Sequence, residues 1–177
     1  TFTVGTAADL VASAPAPVSL PSCSTSAAIT AAYTTWAAGF GVSGGCSPTS
    51  NIASIPALGD LTCGGSLSFT LTADNATGGC VDHSEASSTF TVGTAPAVVL
   101  IAPVNTTIEY HGTENLQLLY NNWLATVQYS GGCELVVTNN APTTPPTHCN
   151  GSYLVTWSAT SRCESKTVSA TYTVLDK

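Results

Sequence analysis

Hydrophobic residues recur along this chain in two rhythms, and each rhythm predicts a different element. Leu67, Phe69, Leu71 and Ala73 alternate with Ser and Thr, and Tyr153, Val155, Trp157 and Ala159 repeat the alternation. A period of two gives a strand one buried and one wet face. Ile29, Tyr33, Trp36 and Phe40 fall instead at helical spacing, as do Leu116, Leu119, Tyr120, Trp123 and Val127, with Ser24, Thr25 or Thr113 placed as N-caps. A short helix in a small β domain must bury such an aromatic stripe, so the stripe reads as core rather than as a ligand cradle. Ahead of each helix lies a proline-punctuated extended stretch, residues 10–20 and 98–108. Proline cannot donate to a ladder, so these stretches are expected to be strand or sheet edge. From the Gly-Gly pairs onward everything reads as strand, with a turn over 74–79 in the first half and closing strands over 88–92 and 170–174.

These elements occur twice. Thr1-Phe2-Thr3-Val4-Gly5-Thr6-Ala7 recurs at residues 89–95, and Thr171-Tyr172-Thr173-Val174 is a third version near the end. Between these marks Ala14-Pro15 matches Ala102-Pro103, Trp36 matches Trp123, and Ser43-Gly44-Gly45-Cys46 matches Ser130-Gly131-Gly132-Cys133. Cys63 then matches Cys149, and Cys80 matches Cys163. The offset slides from 88 to 82 along the copy, so deletions fall between motifs, where loops belong. The expected fold is all-β with one short helix per module, two tandem immunoglobulin-like β-sandwich domains over 5–94 and 95–177. Residues 1–4 are expected to be the closing strand of a preceding module.

Charge narrows the function. Three basic residues, Arg162, Lys166 and Lys177, stand against ten acidic ones, and only 7% of the chain is charged. No basic stripe exists to meet phosphates, which excludes nucleic acid as a partner. No apolar run approaches a membrane span, so membrane insertion is not expected. Seven cysteines in a chain without Met or a signal segment point to a processed extracellular piece rather than a cytosolic one. A zinc site is the competing reading, but no two cysteines lie two to four residues apart, and His83, His111 and His148 are scattered.

The copies differ in cysteine number. The first holds Cys23, Cys46, Cys63 and Cys80; the second holds Cys133, Cys149 and Cys163, with Tyr110 where Cys23 would be. Cys63 and Cys80 bracket a strand that spans roughly 26 Å, too far for a bond needing Cα atoms within about 7 Å. The leading pairing is Cys46 with Cys63 and Cys23 with Cys80, which implies Cys133 with Cys149 and a free thiol at Cys163. Cys23 with Cys46 is the rival, and spacing does not decide between them.

The order of Ala-Pro strand, aromatic helix ending in Trp36 or Trp123, Ser-Gly-Gly-Cys, Cys63-Gly64-Gly65 or Cys149-Asn150-Gly151, and a closing Thr-Phe-Thr-Val resembles the HYR-like repeats. These occur in very large surface adhesins of Bacteroidota, including the mobile adhesins of gliding cells that leave through the type IX secretion system. The resemblance covers nearly the whole chain. It departs in one respect: two further cysteines usual in such repeats are absent together, Ala14 and Ala102 standing at the first position. The resemblance implies an extracellular, cell-surface chain that functions in adhesion and gliding motility.

No constellation reads as catalytic. Asp82-His83-Ser84 has the letters of a hydrolase triad, but neighbours on an extended chain point to opposite faces. Asp74, Asn75 and Asp82 flank a turn and are weak calcium candidates; the second copy does not repeat them, and Asx residues shaping a turn explain them better. No other cofactor is expected. Sequons stand at Asn75, Asn105 and Asn150. The expected role is a structural spacer in a long adhesin or filament that projects a distal adhesive region, its partners being neighbouring repeat modules. The alternatives are a module binding surface polysaccharide or other adhesin chains through Tyr110, His111 and Tyr129, which only the second copy carries, or a strand-exchanging fibre subunit.

Overall fold

The computed structural model describes residues 2, 5, 8–75, 83–147 and 151–177. Among the described residues the chain is mostly β-sheet with two short α-helices, and it divides into two compact units, Thr1–Thr94 and Ala95–Lys177.

In the first unit the proline stretch forms two strands rather than one, β1 (Val11–Ser13) and β2 (Val18–Leu20), because Pro15 and Pro17 offer no N–H to a ladder between them. The break lets the chain change sheets. β1 pairs antiparallel with β3 (Gly41–Ser43), whereas β2 runs parallel to β6 (His83–Val92), Val18 opposite Phe90. β6 also pairs antiparallel with β5 (Gly65–Asn75), and β4 (Pro48–Ser50) completes a sheet ordered β2-β6-β5-β4. Helix α1 (Ser26–Ala38) is capped by Thr25, whose Oγ1 accepts the Ala28 N–H at 3.2 Å. It stops at Gly39, where a side chain would press on Pro15 at 2.6 Å.

The second unit repeats this plan. β7 (Val99–Ile101) pairs with β9 (Gln128–Ser130), and β8 (Thr106–Tyr110), β12 (Ser165–Asp176), β11 (Gly151–Thr160) and β10 (Val136–Asn139) form the sheet β8-β12-β11-β10. β8 again lies parallel to β12. Helix α2 (Leu116–Leu124) is capped by Asn115, not by Thr113: the Asn115 Oδ1 accepts the Leu118 N–H at 3.0 Å. The Glu114 carboxylate takes the His111 and Thr113 N–H groups, which shapes the approach and passes the capping position to Asn115.

Two expectations about strand ends need correction. The closing strands begin earlier than 88 and 170, at His83 and Ser165, and β5 runs through Asp74 and Asn75, which were expected in a turn. Asp74 pairs with His83 and Thr160 with Ser165, so ladder hydrogen bonds hold stretches that have too few apolar residues to announce themselves.

The first core gathers Ile29 and Trp36 from α1 with Phe40, Phe69, Leu71, Phe90 and Val92. Trp36 meets Phe40 edge-on at 5.2 Å, and Phe40 meets Phe69 at 5.1 Å. The second core keeps the helix tryptophan but redistributes bulk. Val127 and Val155 stand for Phe40 and Phe69, while Trp157 stands for Leu71 and packs on Trp123 at 5.4 Å. Volume is conserved across the layer rather than at each position.

The Gly-Gly pairs that precede Cys46 and Cys133 have positive φ at both positions, Gly44 (70°) and Gly45 (73°), Gly131 (77°) and Gly132 (66°). The turn docks on the segment entering the unit: the Gly45 N–H donates to the Ala8 carbonyl at 2.8 Å and the Gly132 N–H to the Pro96 carbonyl at 2.9 Å. A methyl on Gly131 would lie 1.9 Å from the Ala97 carbonyl oxygen, whereas one on Gly112, also at positive φ, would meet nothing within 4 Å. Gly112→Ala should therefore cost only the left-handed strain of about 1–2 kcal/mol. Gly131→Ala should cost clearly more, because backbone must move, and the urea midpoints of the two variants measure the difference.

Candidate functional site

Oxidised sulfur is the main chemistry in the chain. Cys23, Cys63, Cys133 and Cys163 are disulfide-bonded, in two bonds. The Arg162 N–H donates to the Cys133 carbonyl at 2.9 Å, which sets Cys163 beside Cys133. Gly64 and Ser22 both abut the Gly93-Thr94 segment, which sets Cys63 beside Cys23. The bonds are thus Cys23 with Cys63 and Cys133 with Cys163. This corrects the expected pairing: Cys163 is bonded rather than free, and Cys46, expected to bond Cys63, is a half-buried free thiol among the described residues. Strand length correctly separates Cys63 from Cys80, but it says nothing about which loops converge at one end of the sheet. Cys80 and Cys149 lie outside the described residues.

Of the calcium candidates, Asp74 and Asn75 are each engaged by other groups. The Asp74 carboxylate is engaged by His83, Oδ1 to Nδ1 at 2.6 Å, and His83 reaches Glu85 through Nε2 at 3.2 Å. Asn75 turns its Oδ1 toward the Cys46 N–H at 2.8 Å, a structural use of the side chain. Asp82 lies outside the described residues. Among the described residues no three His, Cys, Asp or Glu side chains group as a metal site. Hydrogen bonds to Asp74 first, and to Glu85 next, raise the His83 pKa above its usual value.

The aromatic candidates are dispersed within the second unit. Tyr110 ends β8 and packs against the core edge, and His111, exposed next to it, pairs with Glu114 at 3.3 Å. Tyr129 lies on the other sheet, at the centre of β9 opposite Leu100. Val99 and Ile101 are exposed on β7, but alternation turns them to the face opposite Leu100 and Tyr129. No aromatic platform results from these residues.

Sequence reasoning passed over a repeated surface. On the outer face of β5 and β6, Ser66 bonds Thr91 at 3.0 Å and Thr70 bonds Ser87 at 2.9 Å, hydroxyl to hydroxyl. On β11 and β12, Ser152 bonds Thr173 at 3.1 Å and Thr156 bonds Ser169 at 2.8 Å. The signal in the sequence is Ser or Thr at most alternate positions of both hairpins, interrupted by His83, Glu85 and the exposed Leu154. No helix among the described residues is long and apolar enough to cross a membrane, and the disulfides indicate a non-cytoplasmic protein. The chain matches no protein-family model and no curated protein.

Two outcomes test these assignments. Cys63→Ser should destabilise the first unit by roughly 2–4 kcal/mol in urea, and the loss should vanish when both proteins are compared reduced. Because the folded His83 pKa is raised, its contribution is fully present below about pH 6.5 and is lost as pH rises through the folded value. His83→Gln should abolish that fall in stability, read as Tm at about pH 6 against about pH 8.

Proposed function

We propose that the two units are immunoglobulin-like sandwich modules of a longer extracellular array, and that they act as structural spacers in a secreted surface adhesin or filament, projecting a distal adhesive region. The observation that carries this reading is the hydroxyl ladder, present in both units at equivalent positions of the long hairpin. A surface repeated in this way is one that every module needs, and Ser and Thr paired to each other offer a ligand neither charge nor an aromatic face. A recognition module would instead gather its copy-specific residues on one face, and here Tyr129 stands on a different sheet from Tyr110, which His111 follows.

Three further features support the reading. Each unit has its own core and its own disulfide, as repeats with nearest-neighbour contacts require. The linking residues Gly93-Thr94-Ala95-Pro96 are few. With 7% charged residues, the surface is suited to hydration without attracting polyions.

Surface plasmon resonance of the whole chain against a panel of surface polysaccharides tests the proposal. Spacers should give no saturable response. Saturable binding that Tyr129→Ala or His111→Ala abolishes would assign a recognition module instead.

A further inference from the structure

The two disulfides are held differently. Cys133 is 1% exposed and Cys163 half-buried, whereas Cys63 is exposed and Cys23 half-buried. Hydrogen bonds brace the turn that carries Cys163: the Arg162 N–H donates to the Cys133 carbonyl at 2.9 Å, and the Glu164 N–H to the Ser161 Oγ at 3.0 Å. Cys23 instead has a φ of 64°, a left-handed backbone that is costly for a residue with a side chain, and none of the other three bonded cysteines is left-handed. Exposure and local strain are the properties that separate exchangeable disulfides from inert structural ones.

We propose that the bond between Cys23 and Cys63 is a thiol-exchange site, at which a low-molecular-weight aminothiol becomes attached to Cys63 while the bond between Cys133 and Cys163 stays closed. Cys23 stands two residues before Thr25, the cap of α1. Thr25 takes the Ala28 N–H and the first turn of α1 holds no acidic residue, so the positive end of the helix favours a thiolate at Cys23. Cys23 is therefore the better leaving group, and the exposed Cys63 is the sulfur that an incoming thiolate reaches. Charge selects the class of thiol. The first unit has no Lys or Arg, and Asp60 lies three residues before Cys63, so an anionic thiol is repelled. The thiolate of an aminothiol carries its own ammonium group and no net charge.

The step is a displacement at sulfur. The incoming thiolate attacks the Cys63 Sγ, the bond to the Cys23 Sγ breaks, and Cys23 departs as a thiolate. One disulfide is consumed and one is formed, so the exchange needs no separate oxidant or reductant. The proton lost by the incoming thiol passes to solvent or to Cys23. Opening also unties two segments that both lie against the end of the first unit. A methyl on Gly93 would stand 2.8 Å from the Ser22 nitrogen, and one on Gly64 would stand 2.5 Å from the Thr94 Cα. Attachment at Cys63 is thus felt at Gly93 and Thr94.

Cysteamine is the probe. The folded whole chain, its free thiols first blocked with iodoacetamide, is incubated with cysteamine, quenched with N-ethylmaleimide and mapped by mass spectrometry. The expected result is cysteamine on Cys63 and maleimide on Cys23, appearing at least about tenfold faster than any label on Cys133 or Cys163. Equal opening of the two bonds, cysteamine on Cys23, or a bond between Cys23 and Cys63 that opens only in denaturant would overturn the proposal. A second measurement tests the leaving group. Ser26→Glu sets a carboxylate in the first turn, which suits the helix and disfavours a thiolate beside it, so exchange at Cys63 should slow about two- to fivefold. An unchanged rate would remove Cys23 from that role and sink the assigned direction of attack.

Discussion

Everything in each unit hangs on the register of one antiparallel hairpin. Between β5 and β6 ten residue pairs run unbroken from Gly65 and Val92 to Asp74 and His83, and between β11 and β12 ten more run from Gly151 and Val174 to Thr160 and Ser165. Strand alternation then decides what is inside: Phe69, Leu71 and Ala73 on one strand, Ser88, Phe90 and Val92 on the other. A slip of one residue would bring the Ser/Thr ladder into the core and push the aromatic residues into water. Bulk is matched across the ladder, Phe69 opposite Ser88 and Val155 opposite Ala170, so the helix has a level surface to pack on. Trp36 exploits this by lying over Ser88, its Nε1 donating to the buried Oγ at 2.9 Å.

The two units show how far a shared frame tolerates change. Where Ser88 becomes Ala170, the tryptophan N–H turns elsewhere, Trp123 donating to the Val104 carbonyl at 2.8 Å. Phe90 becomes Tyr172, and its hydroxyl is buried with no hydrogen bond to the described residues. That is a local cost, and the denser Tyr120, Trp123, Trp157 and Tyr172 cluster offsets it through ring contacts 5.1 to 6.0 Å apart. Where Cys23 becomes Tyr110, an apolar ring packs against the core in place of a bond. Hydrophobic positions are exchanged freely; the Gly-Gly turn is not, because only glycine fits so close to the incoming backbone.

Most of this frame was legible beforehand because it rests on local signals. Alternation revealed β5 and β11, helical spacing revealed α1 and α2, and the duplicated motifs lined up the copies. What escaped was set by tertiary contacts. The first half of β6, His83-Ser84-Glu85-Ala86-Ser87, carries no apolar period, and only pairing with β5 makes it a strand. The disulfides escaped for a related reason. Cys23 and Cys63 are joined because the loops before α1 and before β5 both return to the segment after β6, a convergence that spacing does not encode. Asn115 displaced Thr113 as a cap through a carboxylate, that of Glu114, whose reach is visible only in three dimensions.

The parallel pairing of β2 with β6, and of β8 with β12, has a mechanical meaning. In each unit an early strand lies alongside the last one and points the same way. Tension applied through the unit's two ends drags such neighbours past each other along their length, so the hydrogen bonds between them share the load and must fail together. Antiparallel neighbours at those positions would peel apart one bond at a time. Three residue pairs between β2 and β6, and five between β8 and β12, stand in that shear arrangement.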